Sequence, residues 1–372
     1  MKITDISIQH IRPRSAILRM HTDEGITGYG ECVLEGRGRT VEQAVHELTD
    51  YLIGKDPRQI EHHWQAIYRG TFYHGGPVLC SALSGVEQAM WDILGKSLGV
   101  PVYTLLGGAV RSRIRIYRHV HGETLDALRS QCREAVAQGY TMVKTALPEP
   151  ARMIETPDYI RRQVRFMETI REEIGWGIDF AIDFHGRVSP ALAIRLAKEF
   201  EPLQPVFIEE PCLAQNIDAM ATIARSTSIP VATGERLYTK WGFRELLEKQ
   251  AAAVIQPDVC HCGGISEAKK IAAMAESYFV SFAPHNALSG MNLAASLQVV
   301  ATVPNFLAQE QVHLGDGLFK QPFQVHDGYI ELPTAPGLGV DVDEEAMKEM
   351  IYTGEHQNPM WVHEDDGSVA DW

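Results

Sequence analysis

Asp183, Glu209 and Glu235 stand at equal intervals, each closing a short apolar run: Phe180-Ala-Ile-Asp183, Val206-Phe-Ile-Glu209 and Val231-Ala-Thr-Gly-Glu235. Twenty-six residues separate each pair (183 to 209, 209 to 235), about one strand-plus-helix unit. Three convergent carboxylates repel one another unless a cation holds them. Oxygen-only donors select a hard ion, and Mg²⁺ is the usual one that leaves positions open for substrate oxygens, although three protein carboxylates make a tight Mg²⁺ site. Two histidines extend the set. His185 follows Asp183 by two positions, so both side chains can share one face of a strand. His285 follows Val280-Ser-Phe-Ala-Pro, and Asp258 follows Val254-Ile-Gln-Pro. On neighbouring strand ends Asp258 can hydrogen-bond the His285 ring and raise its basicity. Lys144 and Glu310 complete the candidates. Taken singly, Lys144 reads as a lysine reaching solvent and Glu310 equally well as a salt bridge at the mouth. Glu210 and Arg236 read as supports pointing away.

A divalent metal flanked by bases suits proton abstraction beside a carboxylate. The metal takes up charge developing on the carboxylate oxygens, and one histidine removes the proton. The opposite histidine can protonate a leaving hydroxyl or return a proton to the other face.

Such residues converge only if their strand ends share one mouth. Strands are predicted at 114–120, 141–145, 179–184, 205–208, 229–232, 253–256, 279–283 and 305–308, with amphipathic segments at 158–174, 190–200 and 266–277. Eight alternating strands indicate an α/β fold built on a modified TIM barrel, whose functional side chains gather at the strand C-termini. An open doubly wound sheet would want a glycine-rich phosphate turn after its first strand, and none is there. In an eight-stranded ring the third and seventh strands face each other, which puts His185 and His285 on opposite flanks of a substrate.

The chain ahead of the barrel is organised differently. Strands are predicted at 3–11 and 14–21 with a turn at Asp23-Glu24-Gly25, then helices at 40–52, 57–68 and 79–98. This gives an α+β capping domain at 1–112, a barrel at 113–320, and a turn-rich tail at 321–372 that returns to the cap. The 372 residues suffice for both, and 45% hydrophobic with 22% charged content is ordinary for a globular protein. A net charge of −14 disfavours nucleic acid or an anionic membrane as partner, but leaves room for an anionic small molecule on a bound cation. The polar start and the lack of a long apolar run make a cytoplasmic location the default expectation. The six cysteines show no disulfide framework. Cys260-His261-Cys262 invites a zinc reading, but adjacent strand-end positions point to opposite sides and rarely close one tetrahedral site.

At these residues the chain resembles the enolase superfamily, specifically its mandelate-racemase-like acid sugar dehydratases, over essentially its whole length. The resemblance includes Ala82-Leu-Ser-Gly-Val-Glu-Gln-Ala-Met-Trp91-Asp-Ile-Leu-Gly-Lys96 and Leu105-Leu-Gly-Gly108. Gly36-Arg-Gly-Arg-Thr-Val-Glu42, Phe184-His-Gly-Arg-Val-Ser189 and the ending from Asn358 to Trp372 point within it to the galactonate dehydratase group. The resemblance implies Mg²⁺ on Asp183, Glu209 and Glu235, His285 backed by Asp258 as base at C2, and His185 as the acid expelling the C3 hydroxyl. Glu310 would hydrogen-bond the enediolate, and the product would be a 2-keto-3-deoxy sugar acid. The loops 25–39 and 72–76 would touch the distal substrate, and the assembly would be a symmetric homo-oligomer. Two positions depart from that group: Ala146 stands where an asparagine is expected and His119 where a tryptophan is expected, which opens the choice of C5 or C6 acid. A racemase or epimerase would use the same metal and bases. A barrel glycosidase would use Glu209 and Glu235 as its carboxylate pair and need neither metal nor histidine. A non-catalytic homologue would require a broken constellation.

Overall fold

The computed structural model describes residues 1–355 and 360–371, so Asn358, Pro359 and Trp372 of the ending motif lie outside the described residues. The chain opens with an antiparallel meander of β1 (Ile3–Ile11), β2 (Ser15–Thr22) and β3 (Thr27–Glu31). Gly25 makes the second turn in the left-handed region (φ 77°), where a side chain would be strained. Helices Gly38–Leu52, Ile60–Arg69 and Pro77–Leu98 follow. The last lies so close to β3 that the facing positions must be glycine: a Cβ on Gly30 would fall 2.1 Å from the Gly85 carbonyl oxygen. Alanine at Gly30 is therefore expected to destabilise the fold by at least about 1–3 kcal/mol, the usual range for overpacking. Denaturant unfolding checks this, and an unchanged midpoint would contradict the tight packing.

The remaining strands alternate with helices: β4 (Arg113–Arg115), β5 (Arg118–His119), β6 (Met142–Ala146), β7 (Asp179–Asp183), β8 (Phe207–Glu209), β9 (Val231–Thr233), β10 (Val254–Ile255) and β11 (Ser281–Phe282). β5 to β11 form one parallel sheet in sequence order. Single parallel bridges, Phe282 to Phe306 and Ile116 to Gln309, close the ring through an eighth segment. One buried interior layer takes a residue from each of the eight: Tyr117, Met142, Ala181, Phe207, Ala232, Val254, Ala283 and Ala308. Large and small side chains share this layer, as a filled barrel requires. The predicted strands at 279–283 and 305–308 shorten to two residues and to bridges. Pro257 and Pro284 stand just past β10 and β11 and cannot donate to a ladder.

β12 (Tyr329–Glu331) pairs antiparallel with β4. Beyond it, Glu344 accepts from the Tyr29 hydroxyl at 2.8 Å and Arg19 at 3.0 Å, so the tail touches the first sheet. The cap also grips the barrel directly. Glu87, buried on helix Pro77–Leu98, accepts from the Ile265 and Ser266 backbone N–H groups, both at 2.8 Å. It thereby satisfies the open N-terminus of barrel helix Ile265–Ser277. Burial pushes its pKa up to about 7. Among the described residues, no helix is long and apolar enough to cross a membrane.

Candidate active site

Asp183 and Glu209 are the last residues of β7 and β8, and Glu235 lies two positions past β9. Gly234 makes that extension possible: its φ is 145°, and a Cβ would fall 2.8 Å from Phe243 and 2.9 Å from the Gln256 nitrogen. One oxygen from each carboxylate lies within 4.8 Å of the others. Asp183 and Glu209 are buried, and Glu235 keeps part of its surface. Burial, with the charges of Glu210 and its neighbours, raises the Glu235 pKa well above the usual carboxylate range. Burial and the Asp183 charge push Glu209 up to about 8 as well, whereas, against burial, His185 and Lys144 hold Asp183 down at about 2. Two of the three acids thus resist ionisation without a further cation beside them. The donors of this cluster are hard oxygens only, so a hard divalent ion fits the residues present.

Lys144 does not reach solvent, contrary to its reading in isolation. Its Nζ lies 2.8 Å from Glu209, 2.8 Å from Glu310 and 3.2 Å from Asp183. The reason is strand alternation. Met142 belongs to the interior layer, so Lys144, two positions on, points into the barrel one layer nearer the mouth.

His285 lies three residues past β11, with its Nδ1 2.7 Å from Asp258 Oδ2. This hydrogen bond orients the ring and leaves Nε2 toward the cavity, 3.3 Å from Glu235 and 3.7 Å from Glu310. Burial alone would lower its pKa, but the Glu235, Glu310 and Asp258 carboxylates raise it well above the ordinary histidine value. His185 follows β7 in a left-handed conformation (φ 50°), with its backbone N–H donating to Asp183 Oδ1 at 2.8 Å. Burial pushes its pKa down to about 4. A proton on it therefore needs a further anion nearby.

Glu310 receives Lys144, the Asn286 N–H at 2.9 Å and His119 Nε2 at 2.8 Å. Burial opposes its ionisation, but Lys144 and His285 outweigh it and hold the carboxyl well below the usual range. All eight candidate side chains thus meet at one end of the barrel: Lys144, Asp183, His185, Glu235, His285 and Glu310 line a cavity of about 430 Å³, and Glu209 and Asp258 are buried behind them, on Lys144 and His285. His119 and Ala146, the two departures, both line it. Glu210 is buried and paired with Arg236, whose other contact is the His185 carbonyl at 2.7 Å. Arg236 nevertheless lines the cavity rather than pointing away.

Other residues arrive without a strand-end signal. Arg14, Leu34 and Glu35 come from the cap, and Tyr238 and His261 from barrel loops. The loop at 72–76 does not join them: Phe72 is 91% exposed and Tyr73 81%. Of Cys260-His261-Cys262, the cysteines are buried apart from the cavity and only His261 faces it. Ser81 Oγ donates to the Pro77 carbonyl, so it accepts from His261 Nδ1 at 2.8 Å.

The comparisons agree with this fold. Residues 5–107 match the mandelate racemase / muconate lactonizing enzyme N-terminal domain, and residues 127–346 the enolase C-terminal domain-like family. The chain is 45% identical to a D-galactonate dehydratase of Xanthomonas euvesicatoria over 386 aligned residues, with 100% of both chains covered. It is 45% identical to one of Ralstonia pickettii over 383, again with 100% of both covered. Among solved structures, an enolase of Agrobacterium radiobacter with bound sodium and L-malate superposes with a TM-score of 0.92 at 31% identity, covering 100% of both chains. A mandelate racemase/muconate lactonizing enzyme of a Sulfitobacter species gives 0.91 at 34%, covering 96% of this chain and 99% of the other. The chain belongs to the enolase superfamily, in its mandelate racemase and muconate lactonizing enzyme branch.

Proposed function

We propose that this chain is an Mg²⁺-dependent sugar acid dehydratase that converts D-galactonate to a 2-keto-3-deoxy acid. The observation that carries the reading is the site itself: a carboxylate triad with the Asp258–His285 pair on one side and His185 on another, around one cavity. The full-length likeness to proteins named D-galactonate dehydratase supports the substrate. Asp183, Glu209 and Glu235 would hold the ion. When bound, the cation would offset the carboxylate charge around His285 that keeps a proton on it, and would take up charge growing on the substrate carboxylate.

The residues divide the remaining work. His285 Nε2, oriented through Nδ1 by Asp258, removes the C2 proton and leaves an enediolate. Glu310, held by Lys144 and His119, stands 3.7 Å from that ring. It is ionised in the free site, and it donates a hydrogen bond to the enediolate once the substrate's negative charge has raised its pKa and protonated it. His185 gives its proton to the C3 hydroxyl, the C3–O bond breaks, and water departs. The resulting enol becomes the ketone by taking a proton at C3.

The test is a panel of C5 and C6 aldonic and aldaric acids with semicarbazide as the trap for keto acid, in Mg²⁺ and in EDTA. A Mg²⁺-dependent signal on D-galactonate is expected. A signal on another acid alone would keep the chemistry and trace the altered substrate to Ala146 and His119. No signal on any acid, with metal shown to be bound, contradicts the dehydratase.

A further inference from the structure

Glu31 is the last residue of β3, in the cap, and it is fully buried with no cationic partner among the described residues. Its carboxylate is satisfied by donors from across the cap–barrel boundary. It accepts from Ser289 Oγ at 2.7 Å, the Ser289 N–H at 3.3 Å and the Asn292 N–H at 3.0 Å, as well as from Ser15 of the cap. These barrel groups are the open N-terminus of helix Gly290–Val300, where an anion is favoured. The first turn of the helix that follows His285 is therefore seated on a cap residue.

Asn292, in that turn, carries the contact onward. Its Nδ2 donates to Asp258 Oδ1 at 3.0 Å and to Asn286 Oδ1 at 3.1 Å. Asp258 holds His285 through its other oxygen, and the Asn286 N–H holds Glu310. One buried amide thus braces the groups on both sides of His285. Its orientation is fixed chemically, because the reversed amide would set its carbonyl oxygen against the Asp258 carboxylate. Its own Oδ1 has no hydrogen bond among the described residues, so the side chain is held by its two donors.

We infer that Asn292 is a positioning residue for the base at C2 and that the cap, through Glu31, sets its position. Seating the cap on the barrel and aiming His285 are then one event. This rests on the assignment of His285 as the base. Outer partners of site residues typically contribute 10–100-fold to activity, and that is the size expected here.

The experiment compares wild type, Asn292→Ala, Glu31→Gln and the double variant on D-galactonate and its C2-deuterated form. Asn292→Ala should lower kcat by about 10–100-fold with KM nearly unchanged, and it should enlarge the deuterium isotope effect as proton removal becomes slower. Glu31→Gln should shift the same two quantities, and the double variant should lose less than the product of the single losses. Should Glu31→Gln fail to fold, Ser289→Ala removes one hydrogen bond to Glu31 and serves in its place. An unchanged isotope effect, or losses that multiply, would overturn the inference. A wild type that acts on no acid would instead overturn the base assignment, so the two failures are distinguishable.

Discussion

Asparagine in place of His285 is expected to lower dehydration by about 10²–10⁴-fold, the contribution typical of a positioned proton-transfer group. Asparagine fills similar space and can still accept a hydrogen bond, but it cannot take a proton at Nε2. The loss should fall on kcat, because Asp183, Glu209 and Glu235 would remain to hold the metal and, through it, the substrate carboxylate. Steady-state kinetics with the semicarbazide readout, alongside Mg²⁺ titration by calorimetry, check this. A loss confined to KM, or a lost affinity for Mg²⁺, would assign His285 to binding instead. A racemase with the same bases would lose activity in the same way, so this result establishes the base and leaves the leaving group to the product.

The second large effect is expected at Lys144. Its ammonium lies buried among three carboxylates, on Asp183, Glu209 and Glu310. Methionine keeps the length and removes the charge, which leaves these acids facing one another. Breaking a buried ion pair from one side typically costs about 3–5 kcal/mol. Urea unfolding in EDTA should show a loss of that order, with Mg²⁺ recovering part of it by holding Asp183 and Glu209. Activity should fall as well, since Glu310 loses a cation that keeps it in place. If Lys144→Met unfolds at the wild-type midpoint in EDTA, the ammonium is not neutralising the cluster.

The site was legible where chemistry coincided with period. Asp183, Glu209, Asp258 and His285 each follow an apolar strand, and barrel topology delivers such positions to one mouth whatever the intervening helices do. Lys144 was harder, because a lysine within a strand is commonly exposed; the inward face became evident only with Met142 in the interior layer. His261 was obscured by its cysteines, which drew attention to zinc while the imidazole turned to the cavity. Asn292 and Glu31 gave no signal. One sits in a helical turn, the other ends a strand of the cap sheet, and their connection crosses 261 positions of sequence. The eighth strand was placed at 305–308 by its apolar pattern, but it joins the ring by bridges only, which propensity cannot distinguish from a full ladder. The resemblance implies that the loop at 72–76 touches the substrate, but its aromatic rings stand in solvent here.

The most direct test of the central claim is the proton NMR spectrum of the product formed from D-galactonate in D₂O with Mg²⁺. Removal of the C2 proton and the C3 hydroxyl, followed by protonation of the enol, predicts a 2-keto acid carrying a single solvent deuterium at C3. Deuterium at C2 with the C3 hydroxyl still in place would contradict dehydration and make the protein an epimerase on the same metal site.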